Sequence, residues 1–95
     1  MIINYKNAKA QKVHEIGNPK GFKGLDGELA ATRLDELNAA LSLDDISPLR
    51  SVNLHALKGN RSGQWAVNVN GPWRICFVPT DDGFEDVEIT NYHKG

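Results

Sequence analysis

The side chains best suited to chemistry lie in residues 54–77, where cations and an imidazole occur without a single acidic residue. His55 can take or give a proton near neutral pH, because the reference pKa of an imidazole is about 6.5. Lys58 and Arg61 belong to a loop with glycines at both ends, which allows close backbone approach and lets the two cations hold adjacent phosphates. The other interpretation of this loop alone is a solvated turn, but the segment as a whole predicts a phosphate-binding site.

Arg74 extends this predicted site onto a strand. Its guanidinium can bind a phosphate through two parallel hydrogen bonds and stays charged at any working pH. The other interpretation of Arg74 is an ion pair across the sheet with Glu88 or Asp86. Near the end of the chain, Tyr92 offers a ring on which a base can stack, and His93 is a second candidate for proton transfer.

Two helices are predicted in the N-terminal half. Asn7 can cap a helix over residues 8–16, and Gly17 can end it by taking up left-handed geometry. Asp26 can cap a second helix, because its carboxylate can accept from the free amides of the first turn. An apolar stripe at helical spacing is formed there by Ala30, Leu34, Leu37 and Leu41.

From residue 52 the apolar period changes to two, which is typical of strands. Asn70-Gly71 is a favoured tight-turn dipeptide, and Asp82-Gly83 marks a second turn. The order of elements predicts an α+β fold with two N-terminal helices on one face of a twisted, mainly antiparallel sheet. The residues expected to face the helices are Trp65, Val67, Val69, Trp73, Ile75, Phe77, Val87 and Ile89. The opposite, open face is expected to present Asn68, Asn70, Arg74 and Tyr92.

Length and charge limit the possible classes. The 95 residues predict one domain, 1–95, and the 40% hydrophobic content suits a folded globule. Net charge is −1, but residues 1–24 and 46–80 each carry +4, whereas residues 25–45 carry −5 and residues 81–95 carry −4. The lone Cys76, in an apolar run, predicts a packed reduced thiol. Without a signal peptide or spanning segment, a cytoplasmic protein without membrane contact is expected. No metal-ligand spacing is present, so neither a metal site nor a cofactor is predicted.

At these residues the chain resembles the HigB-type toxins of bacterial toxin–antitoxin pairs, within the RelE superfamily of mRNA interferases. The resemblance covers nearly the whole chain. The matching elements are Leu54-His55-x-Leu57-Lys58-Gly59, Arg61-x-Gly63-x-Trp65, Asn70-x-x-Trp73-Arg74-Ile75-x-Phe77 and the ending Tyr92-His93.

The resemblance implies an RNase-like fold and cleavage of mRNA on the translating ribosome, by attack of a ribose 2′-hydroxyl on the adjacent phosphate without metal. It also implies neutralisation by a small HigA-like antitoxin with a helix-turn-helix domain, through which alone the toxin would meet operator DNA. The positions that fall on the family's active site are His55, Lys58, Arg74, Tyr92 and His93. Further contacts to RNA are expected from Arg61, Asn68, Asn70 and Asn91.

Three departures from the family pattern leave a second interpretation open. Asn91 stands where relatives often have Asp, and Asn cannot act as a base. Pro72 replaces a position that can be polar in relatives, and the net charge is lower than is usual for these toxins. The alternative is a catalytically weak or inactive homologue that binds its antitoxin in DNA-bound autorepression.

Overall fold

The computed structural model describes residues 1–46 and 53–91. Helices come first and an antiparallel sheet follows, so the predicted α+β fold is confirmed. The elements are α1 (Ala8–Ile16), α2 (Gly27–Ala39), α3 (Leu43–Ile46), β1 (His55–Ala56), a 3₁₀ turn (Gly59–Arg61), β2 (Trp65–Asn68), β3 (Arg74–Thr80) and β4 (Gly83–Thr90).

The ends of the first two helices follow from their capping residues. The side chain of Asn7 accepts a hydrogen bond from the Ala10 amide, and the side chain of Asp26 accepts one from the Leu29 amide. Gly17 has a φ of 66° and closes α1 in left-handed geometry. All three capping predictions are confirmed.

The apolar stripe of α2 is shorter than the spacing predicts. Ala30, Leu34 and Leu37 are buried, but Leu41 is 80% exposed. The helix ends at Ala39, and the backbone of Ala40 is extended, so Leu41 leaves the direction of the stripe. The prediction that Leu41 faces the sheet is therefore wrong.

The register of the four strands, in the order β1-β2-β3-β4, separates two faces. Val67, Ile75 and Ile89 are paired across the sheet and belong to the buried core beneath the helices. Side chains of paired residues point to the same face of the sheet, and the residues between them along each strand point to the opposite face. This open face carries one row with His55, Ala66, Cys76 and Glu88 and a second row with Asn68, Arg74 and Thr90.

The N-terminal segment lies parallel to the outer edge of β4, with bridges from Ile2 to Phe84 and from Tyr5 to Val87. At this edge Asp86 has a φ of 51° and forms part of a bulge, and its amide donates to the Asn4 side chain over 2.7 Å. This pairing brings Lys6, the next residue along, beside the open face. Nothing in the alternation of β4 alone indicates such a fifth, parallel segment.

The β2–β3 turn is anchored to the helical layer. Its amide–carbonyl hydrogen bond runs from Trp73 to Asn70, so Gly71 and Pro72 form the centre of the turn, one position later than predicted. The Asn70 side chain donates to the Gly24 carbonyl and accepts from the Asp26 amide, each over 2.8 Å. Asn70 therefore faces the helices, and the prediction that it lies on the open face is wrong.

The two tryptophans pack against the core without being fully covered. Trp73 meets Phe22 edge to face, with ring centroids 5.4 Å apart, and its indole N–H donates to the Lys23 carbonyl over 2.9 Å. The prediction of the helix-facing side is confirmed for both residues, but Trp65 and Trp73 are half-buried rather than buried.

Asn70→Ala should destabilise the fold, because it removes both hydrogen bonds that join the turn to the loop before α2. Each hydrogen bond contributes about 0.5–1.5 kcal/mol, so we expect a loss of about 1–3 kcal/mol in the free energy of unfolding, measured by urea denaturation. Asn60→Ala, at an exposed loop position, is the matched control. Equal stability of the two variants would contradict this role of Asn70.

Candidate active site on the open sheet face

Arg74 is held by the turn that precedes it. Its Nη1 donates to the carbonyls of Gly71 and Trp73, over 2.8 and 2.9 Å. Both Nη1 protons are thereby used, and the edge formed by Nε and Nη2 keeps its three protons for another acceptor. Within residues 1–46 and 53–91 no carboxylate pairs with Arg74, so the predicted alternative of an ion pair with Glu88 or Asp86 is wrong.

Glu88 instead binds two other cations. Its Oε2 lies 3.0 Å from Lys6 Nζ, and its Oε1 lies 3.8 Å from Arg61 Nη2. Only 12% of the Glu88 side chain is exposed, and a buried carboxylate needs such partners. Lys6 and Glu88 are thus part of the face, although Lys6 was not predicted there, because its position depends on pairing between the two ends of the chain.

Cys76 lies beneath these charges, with no exposed surface. Burial raises the pKa of its thiol to about 11, against the opposing influence of nearby Arg61 and Lys6. The thiol therefore stays neutral at physiological pH and does not cancel the positive charge above it. The prediction of a packed thiol is confirmed.

The charges around Cys76 make the centre of the open face positive. Arg61, Lys6 and Arg74 all act electrostatically on the thiol, as does Glu88. Three cations and one carboxylate leave a local charge of about +2. Such a surface favours an anion with oxygen acceptors, and the planar edge of Arg74 suits a phosphate.

His55 lies in the same row of the open face as Glu88, but on β1, at the opposite edge of the sheet. Its Nδ1 is 2.7 Å from the Asn53 carbonyl, which can only accept, so Nδ1 carries a proton. In the neutral ring Nε2 is then the basic nitrogen. From strand spacing and rise, the Cα atoms of His55 and Arg74 are about 12 Å apart, a gap that long side chains and a bound phosphodiester can bridge.

The remaining predicted residues are placed differently. Lys58 is exposed at the start of the 3₁₀ turn, and Arg61 donates to Gln64 Oε1 over 3.1 Å. Asn68 pairs with Arg74 on the open face, and Asn91 follows the end of β4. Among the residues described, the side-chain oxygens of both asparagines are buried without a hydrogen-bond partner, a costly state that in native proteins calls for a functional or structural reason.

The open face thus brings together four of the predicted residues: His55, Arg61, Asn68 and Arg74. Asn70 is directed away from them. Tyr92 and His93 lie outside the described residues, and their roles stay predictions. Within the two described ranges, no cluster of His, Cys, Asp and Glu side chains could hold a metal ion, and no helix is long and apolar enough to cross a membrane.

Helices followed by an antiparallel meander, with cations on the open face of the sheet, are consistent with a RelE-like fold. No family model matches the chain. A curated relative, Endoribonuclease HigB of Proteus vulgaris, is 30% identical over 93 residues, which cover 98% of this chain and the whole of the relative. The chain therefore belongs to the HigB-type toxins.

The raised pKa of Cys76 predicts a loss of stability at high pH. The thiol pKa rises from 9.0 to about 11 on folding, so its stabilising effect is complete below pH 9 and disappears as the pH rises through 11. Urea denaturation of the wild type should therefore show a larger loss of stability between pH 9 and 11 than that of Cys76→Ala. Parallel pH profiles for the two proteins would contradict this environment for the thiol.

Proposed function

We propose that this protein is an endoribonuclease toxin that cleaves mRNA on the translating ribosome and is neutralised by a HigA-like helix-turn-helix antitoxin. Its family membership supports the class of activity, since the curated relative is named an endoribonuclease. The observation that carries the proposal is the geometry of Arg74. Its guanidinium is fixed by two turn carbonyls, has no carboxylate partner among the described residues, and offers its Nε/Nη2 edge to a phosphate.

In this proposal Arg74 binds the phosphate that is attacked. Negative charge develops on the nonbridging oxygens as the phosphorus becomes five-coordinate, and a preorganised donor is worth about 10²–10³ in rate. Arg61 and Lys58 contribute further positive charge from the β1–β2 loop. Glu88 restrains Arg61 and Lys6 over the face, so that these long side chains need less ordering when RNA binds.

The reaction needs two proton transfers. A base removes the proton of the ribose 2′-hydroxyl, the 2′-oxygen bonds to phosphorus, and the bond from phosphorus to the 5′-oxygen breaks. An acid then protonates the departing 5′-oxygen, which leaves a 2′,3′-cyclic phosphate and a 5′-hydroxyl. His55 and His93 are the proposed proton carriers, each worth about 10²–10⁴ in rate, and Tyr92 is proposed to stack on or orient the substrate.

The amide oxygens of Asn68 and Asn91 are buried in this structure and would have to turn outward to meet a substrate, where they would suit the sugar rather than the phosphate. An amide oxygen repels a phosphate oxygen but accepts from a ribose hydroxyl or a base amino group. We assign both residues to substrate orientation. Since all steps use protons and fixed cations, the proposed cleavage needs no metal or cofactor.

Ribosome dependence is proposed from the family membership rather than from the charge, which is lower than is usual for these toxins. A net charge of −1 gives little long-range attraction to free RNA, although the open face is locally positive. The ribosome would compensate by presenting an ordered mRNA strand. In the same proposal the antitoxin covers the toxin and carries it to operator DNA, which the toxin does not contact itself.

Arg74→Ala should abolish mRNA cleavage and growth inhibition while leaving the fold intact, because its partners are two carbonyls at the edge of a solvent-facing turn. We expect a loss of at least about 10²-fold in the cleavage rate on programmed ribosomes, measured by primer extension. Arg74→Lys retains the charge but not the fork, so it should recover only a small part of the rate.

Thr90→Val is the matched control, since Thr90 lies opposite Arg74 on the same face and the change keeps its shape. It should cleave at nearly the wild-type rate. Full toxicity of Arg74→Ala, or an equal defect in Thr90→Val, would contradict the assigned site.

The neutral Asn91 favours the second candidate, an inactive homologue that serves antitoxin-dependent autorepression. Asn91→Asp distinguishes the active enzyme from the inactive homologue. A carboxylate near His93, the predicted proton carrier, would raise the pKa of its imidazole. If the wild type is an enzyme, the substitution should change its cleavage rate and shift its pH optimum upward. A wild type that neither cuts mRNA nor slows growth, with both effects gained by Asn91→Asp, would establish the inactive homologue.

A further inference from the structure

A second cationic surface lies away from the open sheet face, between α1 and the loop that follows it. This lysine groove has a volume of about 410 Å³ and is lined by Lys9, Lys12, Asn18, Lys20 and Gly21. Lys9 and Lys12 are one turn apart along α1, so they share a side of the helix. Lys20 faces them from the loop, where its amide donates to the Asn18 side chain over 3.0 Å.

The groove is not neutralised by the protein. Among the described residues, no carboxylate forms an ion pair with Lys9, Lys12, Lys20 or the neighbouring Lys23. Glu15 is the one acidic residue in the first 24, and it accepts instead from Gln11. Several like charges around one concavity repel each other, and a bound polyanion relieves that repulsion.

The shape of the groove depends on Gly21. Its φ of 91° is unfavourable for residues with a side chain, and a Cβ there would come within 3.3 Å of Lys9 Nζ. The loop backbone at Gly21 thus lies against the end of the Lys9 side chain, and Lys20 lines the same concavity from the loop. Lysines from α1 and from the loop therefore line one concavity.

We infer that the lysine groove binds backbone phosphates of RNA, at a position separate from the phosphate that is cleaved. None of the described residues that line it has an apolar or aromatic side chain that could anchor a protein partner, and lysine is depleted in protein interfaces. Lysine ammonium groups are compact charges that suit phosphates without reading sequence. This inference rests on the proposed function only in naming RNA as the polyanion.

Positive charge also connects the groove with the open face. Lys6 places its ammonium on Glu88 at the edge of that face, and Lys9 follows three residues later, so their Cα atoms are at most about 11 Å apart. A strand that leaves the open face along this edge would pass within reach of Lys9, which lines the groove. The groove can therefore hold either the continuation of the mRNA or a strand of ribosomal RNA, both through the same phosphate chemistry.

The test uses the full chain in an Arg74→Ala background, so that binding is measured without cleavage. Lys12→Gln/Lys20→Gln is compared with Gln11→Glu/Thr32→Glu, which lowers the net charge by the same two at exposed helix positions outside the groove. The probes are fluorescent single-stranded RNAs of about 4 and about 14 nucleotides and purified ribosomal subunits, in a salt series. Thermal unfolding verifies that both variants fold.

The lysine variant should lose affinity on the order of tenfold and up to about 1.4 units of log–log salt slope, whereas the control retains both. Loss with the long RNA but not the short one would assign the groove to mRNA, and loss with the subunits alone would assign it to ribosomal RNA. Unchanged affinity for every RNA probe would overturn the inference. Failure of wild-type protein to cleave mRNA would count against the proposed function and leave this binding result unaffected.

Discussion

The Asn70 side chain joins the two layers of this protein, and the position of Arg74 follows from it. Its amide binds the loop before α2 from both sides, through the Gly24 carbonyl and the Asp26 amide. The turn that Asn70 begins then supplies the Gly71 carbonyl that accepts from the guanidinium of Arg74. Asn70, which was predicted to contact RNA, thus has a structural role. It supports the position of Arg74, the predicted phosphate-binding residue four positions later.

Local signals predicted much of the fold. Caps, left-handed glycine and strand parity act over a few residues, so α1, the start of α2 and the two sheet faces could be derived from the sequence. The environment of Glu88 could not be derived from the sequence, because Lys6 reaches it through pairing between the N-terminal segment and β4. The exposure of Leu41 was missed for a different reason: helical spacing alone does not show where a helix ends.

The near-neutral total charge conceals two positive surfaces. On the open face the buried Glu88 balances part of the positive charge and restrains Lys6 and Arg61. The remaining positive charge is therefore localised. The lysine groove has no such balance among the described residues. This difference fits a division of roles in which the ordered face performs the reaction and the unbalanced groove holds backbone phosphates.

The central claim is that the open face cleaves RNA through the 2′-hydroxyl next to the attacked phosphate. The most direct measurement is cleavage of a ribosome-bound mRNA that carries a single 2′-deoxyribose at the mapped cleavage position, with analysis of the product ends. We expect the normal mRNA to give a 2′,3′-cyclic phosphate and a 5′-hydroxyl, and the deoxy-substituted mRNA to remain uncut at that position. Cleavage of the deoxy-substituted mRNA there, or products with 5′-phosphates, would contradict the account.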